Sequence, residues 1–222
     1  MSELPAPGDV PSVVDLIADL NRIVGPDGVA EDHVVELGGV PQVVSVRGRD
    51  RADPVLLVVH GGPGSALGPS SWMWQRPLED FFTVVQHDQR ATGRSHALTP
   101  REEVRPTLTV DRYVDDVIEL AEWLVEHLGV ERVAVLGHSW GSALATTAVA
   151  RRPDLFSVYV GVGQVVWFDE AERVGWRWAR DEAVRRGEQQ AVDDLESLAP
   201  YPGPRDSSSP FLPRLASERS WV

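Results

Sequence analysis

Residues 132–151 read RVAVLGHSWGSALATTAVAR. Arg132–Leu136 is a short apolar run of strand type and Ser142–Arg151 has a helical pattern. Between them stands Gly137-His138-Ser139-Trp140-Gly141. This is G-x-S-x-G in a strand–turn–helix setting, the pattern of a nucleophile elbow. A nucleophilic serine must stand clear of the sheet on a strained turn. Small residues two before and two after it let the backbone bend without a clash. Outside that setting the same letters would read as a glycine turn with an incidental serine.

Upstream, Val55–Val59 is a continuous apolar run bounded by Pro54 and a glycine cluster, as in a strand buried on both faces. Phe82–His87 is a second such strand. Val110–Leu128 is the strongest helix, with Val110, Val114, Val117, Ala121, Leu124 and Leu128 on one stripe, Thr109 at its start and Gly129 at its end. Ser157–Val162 reads as a further strand. Alternating strands and helices predict a mostly parallel α/β sheet flanked by helices. Two β-like runs, His33–Leu37 and Val43–Arg47, precede it, separated by Gly38-Gly39 and a proline. Val13–Val24 suits a short helix capped by Ser12 and stopped at Gly25-Pro26.

The expected domains are an N-terminal arm and short helix over 1–30, the α/β core over 31–166, and a helical segment over 167–222. In that last segment 168–198 is charged and helical, with Trp176 and Trp178 among Arg and Glu. Residues 199–213 carry five prolines and Ser207–Ser209 and read as loop.

Composition narrows the classes. Of 222 residues 42% are hydrophobic and 25% charged, an ordinary globular balance. With no cysteine there is no disulfide and no thiolate-held metal. The net charge of −13 disfavours nucleic acid and anionic membranes as partners. All 21 basic side chains are Arg, which reads as coding bias. No run reaches the roughly 18 apolar residues of a membrane span, and the N-terminus lacks a basic-then-apolar signal pattern, so a cytoplasmic location is expected.

Two loops accompany the elbow. His60-Gly61-Gly62-Pro63-Gly64 follows strand 55–59 and can present backbone N–H groups to a developing oxyanion. Pro63 has no N–H, so the donor must be a glycine. Gly62 is chosen, with the Trp140 N–H that follows the nucleophile as second donor. Without a GK[ST] ending or GxGxxG, a phosphate cradle is disfavoured. Asp88-Gln89-Arg90-Ala91-Thr92-Gly93-Arg94-Ser95 follows strand 82–87, at the end of the sheet where ligands bind. Asp88, Gln89 and Arg90 are grouped with this site, although Asp88 and Arg90 read best as residues whose hydrogen bonds hold the loop.

HGGPG, DQRATGRS and GHSWGSAL, in this order and spacing, resemble the proline iminopeptidase family of α/β-hydrolase serine peptidases. The usual DQRGxGxS has Ala91 in place of a glycine here, and the usual GGSWGS has His138. The resemblance covers residues 33–165, and Gly161–Val166 continues it towards a less characterised branch. It implies an α/β-hydrolase fold, Ser139 as nucleophile, Gly62 and Trp140 as oxyanion donors, and a helical cap beginning near residue 167. It also implies a small peptide or amide substrate with a free N-terminus, bound by cap acids for which Glu170 and Glu172 are candidates.

In this fold the triad runs Ser, acid, His. The six histidines are His33, His60, His87, His96, His127 and His138, and none follows Ser139. His60 and His87 lie near the site without holding the usual base position. His138 diverges from its neighbour, His96 is a loop residue, and His33 and His127 read as surface residues. No histidine pair has HExxH spacing, so neither metal nor cofactor is expected. The triad acid is unassigned among Asp154, Asp169, Asp181, Asp193, Asp194 and Asp206. These readings predict a chain truncated before the last strands, inactive alone, poorly soluble, and prone to associate through an exposed sheet edge. Two alternatives stay open: another ester or amide hydrolase, and a non-catalytic binding protein.

Overall fold

The computed structural model describes residues 12–203 together with Glu218 and Ser220. The predicted arm over 1–11, Asp206, Ser207–Ser209 and most of the proline-rich loop lie outside these residues. The chain divides into two compact units that meet between Val165 and Val166 in sequence.

The first unit opens with α1 (Val13–Leu20), where Ser12 and Asp15 form a reciprocal capping box. The helix ends four residues before the predicted Val24, because Asn21 caps it and its side-chain amide donates to the Ile17 carbonyl at 2.8 Å. β1 (Val29–Leu37) and β2 (Val40–Gly48) form a longer hairpin than the sequence suggests. Gly38 and Gly39 make its two-residue turn at φ +54° and +70°, as a primed hairpin turn requires.

β3 (Val55–Val59) is buried at every position, as is β4 (Thr83–Asp88). A short helix α2 (Arg101–Val104) leads to α3 (Val110–Leu128), which keeps its predicted bounds with Thr109 capping and Gly129 left-handed at the end. On its buried stripe Val110 is exposed while Leu120 and Asp116 are buried. Val110 is in the first turn, and Asp116 is drawn inward by Arg90. β5 (Val133–His138), α4 (Trp140–Arg151) and β6 (Phe156–Val162) complete the unit.

The six strands lie in the order β1-β2-β4-β3-β5-β6. β2 is antiparallel to both its neighbours; β4, β3, β5 and β6 are mutually parallel. α3 and α4 bury Val55, Leu57 and Val59 on one face, in a cluster with Val114, Leu120, Leu124 and Leu144. Leu56, Val58 and Val84 pack on the other face against Leu67, Trp74, Leu78 and Phe82. Truncating a fully buried leucine of this core, such as Leu57, to alanine costs about 2–5 kcal/mol. Among the described residues no strand pairs with the outer side of β6, whose Val158, Val160 and Val162 are exposed.

The parallel order reverses at β3. The chain goes from β3 outward to β4, then crosses back to β5 on the other side of β3. The carboxyl ends of these three strands therefore flank a switch point, where open α/β sheets bind ligands.

The second unit contains α5 (Phe168–Arg186) and α6 (Gln189–Ser197). Ala179, Ala183, Ala191, Val192, Leu195, Leu198 and Tyr201 form its core, with Trp176 beside them. The Trp176 indole donates to the Leu195 carbonyl at 2.8 Å, tying the two helices.

Candidate active site

Ser139 joins β5 to α4 at φ +51° and ψ −120°, one of two non-glycine residues at positive φ among the described residues. Such a conformation stores of order 1–3 kcal/mol and persists only where the surroundings enforce it. The enforcement is visible. A Cβ on Gly141 would sit 2.1 Å from the Val59 carbonyl oxygen and 2.6 Å from that of His60. A Cβ on Gly137 would sit 2.6 Å from the Gly141 oxygen and the Ser142 Cα. Both glycines are thus demanded by contact, as the elbow motif supposes.

The residues holding the turn from the other side were not legible in the motif. The Ser139 N–H donates to the Val162 carbonyl at the end of β6, at 2.8 Å. The Ser142 hydroxyl donates to the Ser139 carbonyl at 2.5 Å and accepts from the Val165 N–H at 2.9 Å. Ser142 is fully buried and clamps the elbow to the segment after β6. The serine that follows G-x-S-x-G was its only signal.

The HGGPG loop lies directly against Ser139. A Cβ on Gly61 would be 3.1 Å from the Ser139 Cβ and 3.0 Å from the His138 Nδ1. Gly62 and Gly64 are left-handed at φ +118° and +96°, and the Ser65 N–H closes the turn on the Gly61 carbonyl at 3.3 Å. Trp140 opens α4, and the first N–H groups of a helix have no partner within it. The positive end of the helix dipole adds to them.

His60 is a fastener. Its Nε2 accepts from the Gln89 N–H at 3.3 Å, which leaves Nδ1–H to donate to the Gly61 carbonyl at 2.9 Å. The Gln89 amide returns a bond to the His60 carbonyl at 3.0 Å. Burial holds the His60 imidazole below its ordinary pKa, against the bond to Gly61. His87 is buried in the sheet with its Nε2 on the Gln42 Oε1 at 2.6 Å. Burial first, then His60 and Arg90, push its pKa down to about 3. Both rings are committed to other partners, and no hydrogen bond links the Ser139 hydroxyl to a histidine among the described residues.

Asp88 accepts from the Arg94 backbone N–H and Nε, each at 3.0 Å, closing its own loop. Arg90 is fully buried and grips Asp116 on α3 with two bonds, at 2.5 and 2.6 Å. It also donates to the Thr107 hydroxyl at 2.6 Å and the Leu37 carbonyl at 3.1 Å. Ala91, standing where the resemblance has glycine, takes φ +58°.

Four of the candidate acids have partners of their own. Asp154 pairs with Arg152 on the surface at 2.6 Å, Asp181 with Arg180 at 3.0 Å, and Asp193 and Asp194 accept from Gln189 and Gln190. In the second unit Glu170 pairs with Arg173 and Arg177, and Glu172 accepts from the Tyr201 hydroxyl at 2.9 Å.

The model of the alpha/beta hydrolase fold family matches residues 54–191, which include all three loops and the helix after the elbow. The chain belongs to the alpha/beta hydrolase fold family. Several peptidases are among the proteins it is similar to. It is 34% identical over 147 residues to a probable aminopeptidase YbaC of Bacillus subtilis, covering 66% of this chain and 45% of that one. It is 36% identical over 107 residues to a proline iminopeptidase of Arabidopsis thaliana, covering 48% and 25%. It is similar to the crystal structure of a proline iminopeptidase-related protein from Thermus thermophilus. That match has TM-score 0.55 and 31% identity, covering 75% of this chain and 60% of the other. The chain spans about half or less of the length of these curated relatives.

Proposed function

We propose that this hydrolase is a serine aminopeptidase of proline iminopeptidase type, working through an acyl-enzyme on Ser139. The observation that carries the reading is the strained Ser139 turn with Gly61 packed against it. A serine and a loop of backbone N–H groups side by side support the reading, because acyl transfer needs a nucleophile and donors on one small volume.

In the proposed reaction the Ser139 hydroxyl attacks the carbonyl of the substrate's N-terminal residue. The Gly62 and Trp140 N–H groups receive the oxyanion. The amine leaves with a proton and water then releases the acyl group. His60, Gly61, Pro63 and Gly64 shape the donor loop. Asp88, Gln89 and Arg90 fasten the neighbouring one. The second unit is read as the beginning of a helical cap, with Glu170 and Glu172 as candidates for the substrate amine.

The step with no residue assigned is the removal of the serine proton. No histidine follows Ser139 in the sequence, and a hydroxyl without an adjacent base is weakly nucleophilic. The 222-residue chain alone is therefore expected to turn over slowly.

A substrate panel on the wild type and Ser139→Ala tests the reading. Release of arylamine from a proline arylamide that disappears in Ser139→Ala supports it. Turnover of short acyl esters with no arylamide cleavage moves the assignment to another ester or amide hydrolase. Peptidase activity unchanged in Ser139→Ala would falsify it.

A further inference from the structure

We propose that Glu31, His33 and His127 form a binding site for one divalent transition-metal ion of the zinc class, joining edge strand β1 to the last turn of α3. The strand period puts Glu31 and His33 on one face of β1, two residues apart. His127 reaches them from α3, and its ring completes the group. The Glu31 Oε2 lies 3.0 Å from the His33 Nε2 and 3.7 Å from the His127 Nε2. One donor atom from each of the three lies within 4.8 Å of the others. Bonds of about 2.0–2.1 Å in a tetrahedron set donors about 3.3 Å apart, between the two observed distances.

The groups are oriented by their surroundings. Trp123, one helical turn before His127, stacks on it with centroids 4.4 Å apart and planes at 11°. The His33 ring stands edge-on to Trp123 at 5.3 Å. Arg51 holds the other oxygen of Glu31, leaving Oε2 directed at the two imidazoles. Metal-ligating carboxylates are held in this way by outer partners.

Two imidazoles and one carboxylate select zinc, copper or nickel over magnesium or calcium, which prefer all-oxygen sites. All three side chains are partly exposed, so an ion can enter and water can take a fourth position. The site shares no residue with the Ser139 turn. Its ligands come from elements far apart in the chain, so no spacing rule in the sequence could reveal it.

The test is calorimetric titration of the full chain with zinc chloride after removal of trace metal, with cobalt chloride followed by visible absorption. One equivalent should bind with micromolar or tighter affinity, and cobalt should show the bands of a four-coordinate site. Glu31→Gln and His127→Ala should each weaken binding by at least about tenfold. Zinc should raise the thermal midpoint of the wild type but not of His127→Ala. Circular dichroism confirms that each variant folds, and Glu31→Gln preserves the shape of the site. Absence of binding by the wild type overturns the proposal. Equal binding by the wild type and either folded variant also overturns it, because the ion would then be held elsewhere.

Discussion

Replacing Arg90 by methionine removes the guanidinium that ties the loop after β4 to α3. Methionine has a similar length and donates nothing. Asp116 loses two of its four donors and keeps the Gln42 amide and the Arg112 Nε, each at 3.1 Å. With Asp116 only 1% exposed, water cannot replace what is lost. Breaking one side of a buried ion pair costs about 3–5 kcal/mol. The Leu37 carbonyl loses a donor as well, but the retained Arg112 guanidinium still pairs with the carboxylate, which favours the lower half of that range. In urea, with a slope of about 1–3 kcal/mol/M, the unfolding midpoint should fall by at least about 1 M. The double variant Arg90→Met/Asp116→Leu should recover much of this, because no uncompensated charge stays buried.

The deficit should also depend on pH. Burial raises the Asp116 pKa above its ordinary 3.8, while Arg90, Gln42 and Arg112 pull it down. Without Arg90 it rises further. A carboxyl raised in the fold contributes stability that is complete below 3.8 and is lost as pH rises through its folded value. The Arg90→Met deficit should therefore be full at neutral pH and shrink towards pH 4. A cost below about 1 kcal/mol, a double variant no better than the single, or a deficit constant with pH would refute the reasoning.

Two further outcomes follow from the backbone and from His87. Ala91→Gly should stabilise the fold by about 0.5–1 kcal/mol, since φ +58° costs an L-residue about 1–2 kcal/mol and the freer unfolded chain returns part of that. A lower thermal midpoint would show that the alanine is not strained. His87, with a pKa of about 3 in the fold against an ordinary 6.5, resists protonation, so its contribution is complete above 6.5 and falls as pH drops towards 3. Between pH 7 and 5 the wild type should lose about 2 kcal/mol more stability than His87→Gln, at about 1.36 kcal/mol per unit. Equal losses in chemical denaturation would contradict this.

The sequence announced what is local. Val55–Val59 and Val110–Leu128 took their expected bounds because a continuous apolar run and a capped stripe each carry their own signal. The Ser139 turn was legible because its glycines answer to contacts within and beside the motif. Asp116 was not, since its meaning depends on Arg90, which comes from another element. Gln42 was missed for the same reason: it spans from His87 to Asp116 inside the sheet. Ser142 lay in plain view, yet its role emerges only when the chain after β6 folds back to meet it.

The close backbone approach at Gly141 has a consequence for how this chain tolerates mutation. Every one of the nineteen alternatives at that position adds at least a Cβ, at which point the Val59 carbonyl is already 2.1 Å away. A complete library of variants there should return a nearly flat profile, in which alanine is as unwelcome as tryptophan. The neighbouring Ser139 should behave differently. Substitutions that keep the turn would spare folding while removing the hydroxyl, so abundance and turnover would part company. Scored in parallel for protein level and for reaction, the two nearby positions would separate a demand of shape from a demand of chemistry within three residues of chain.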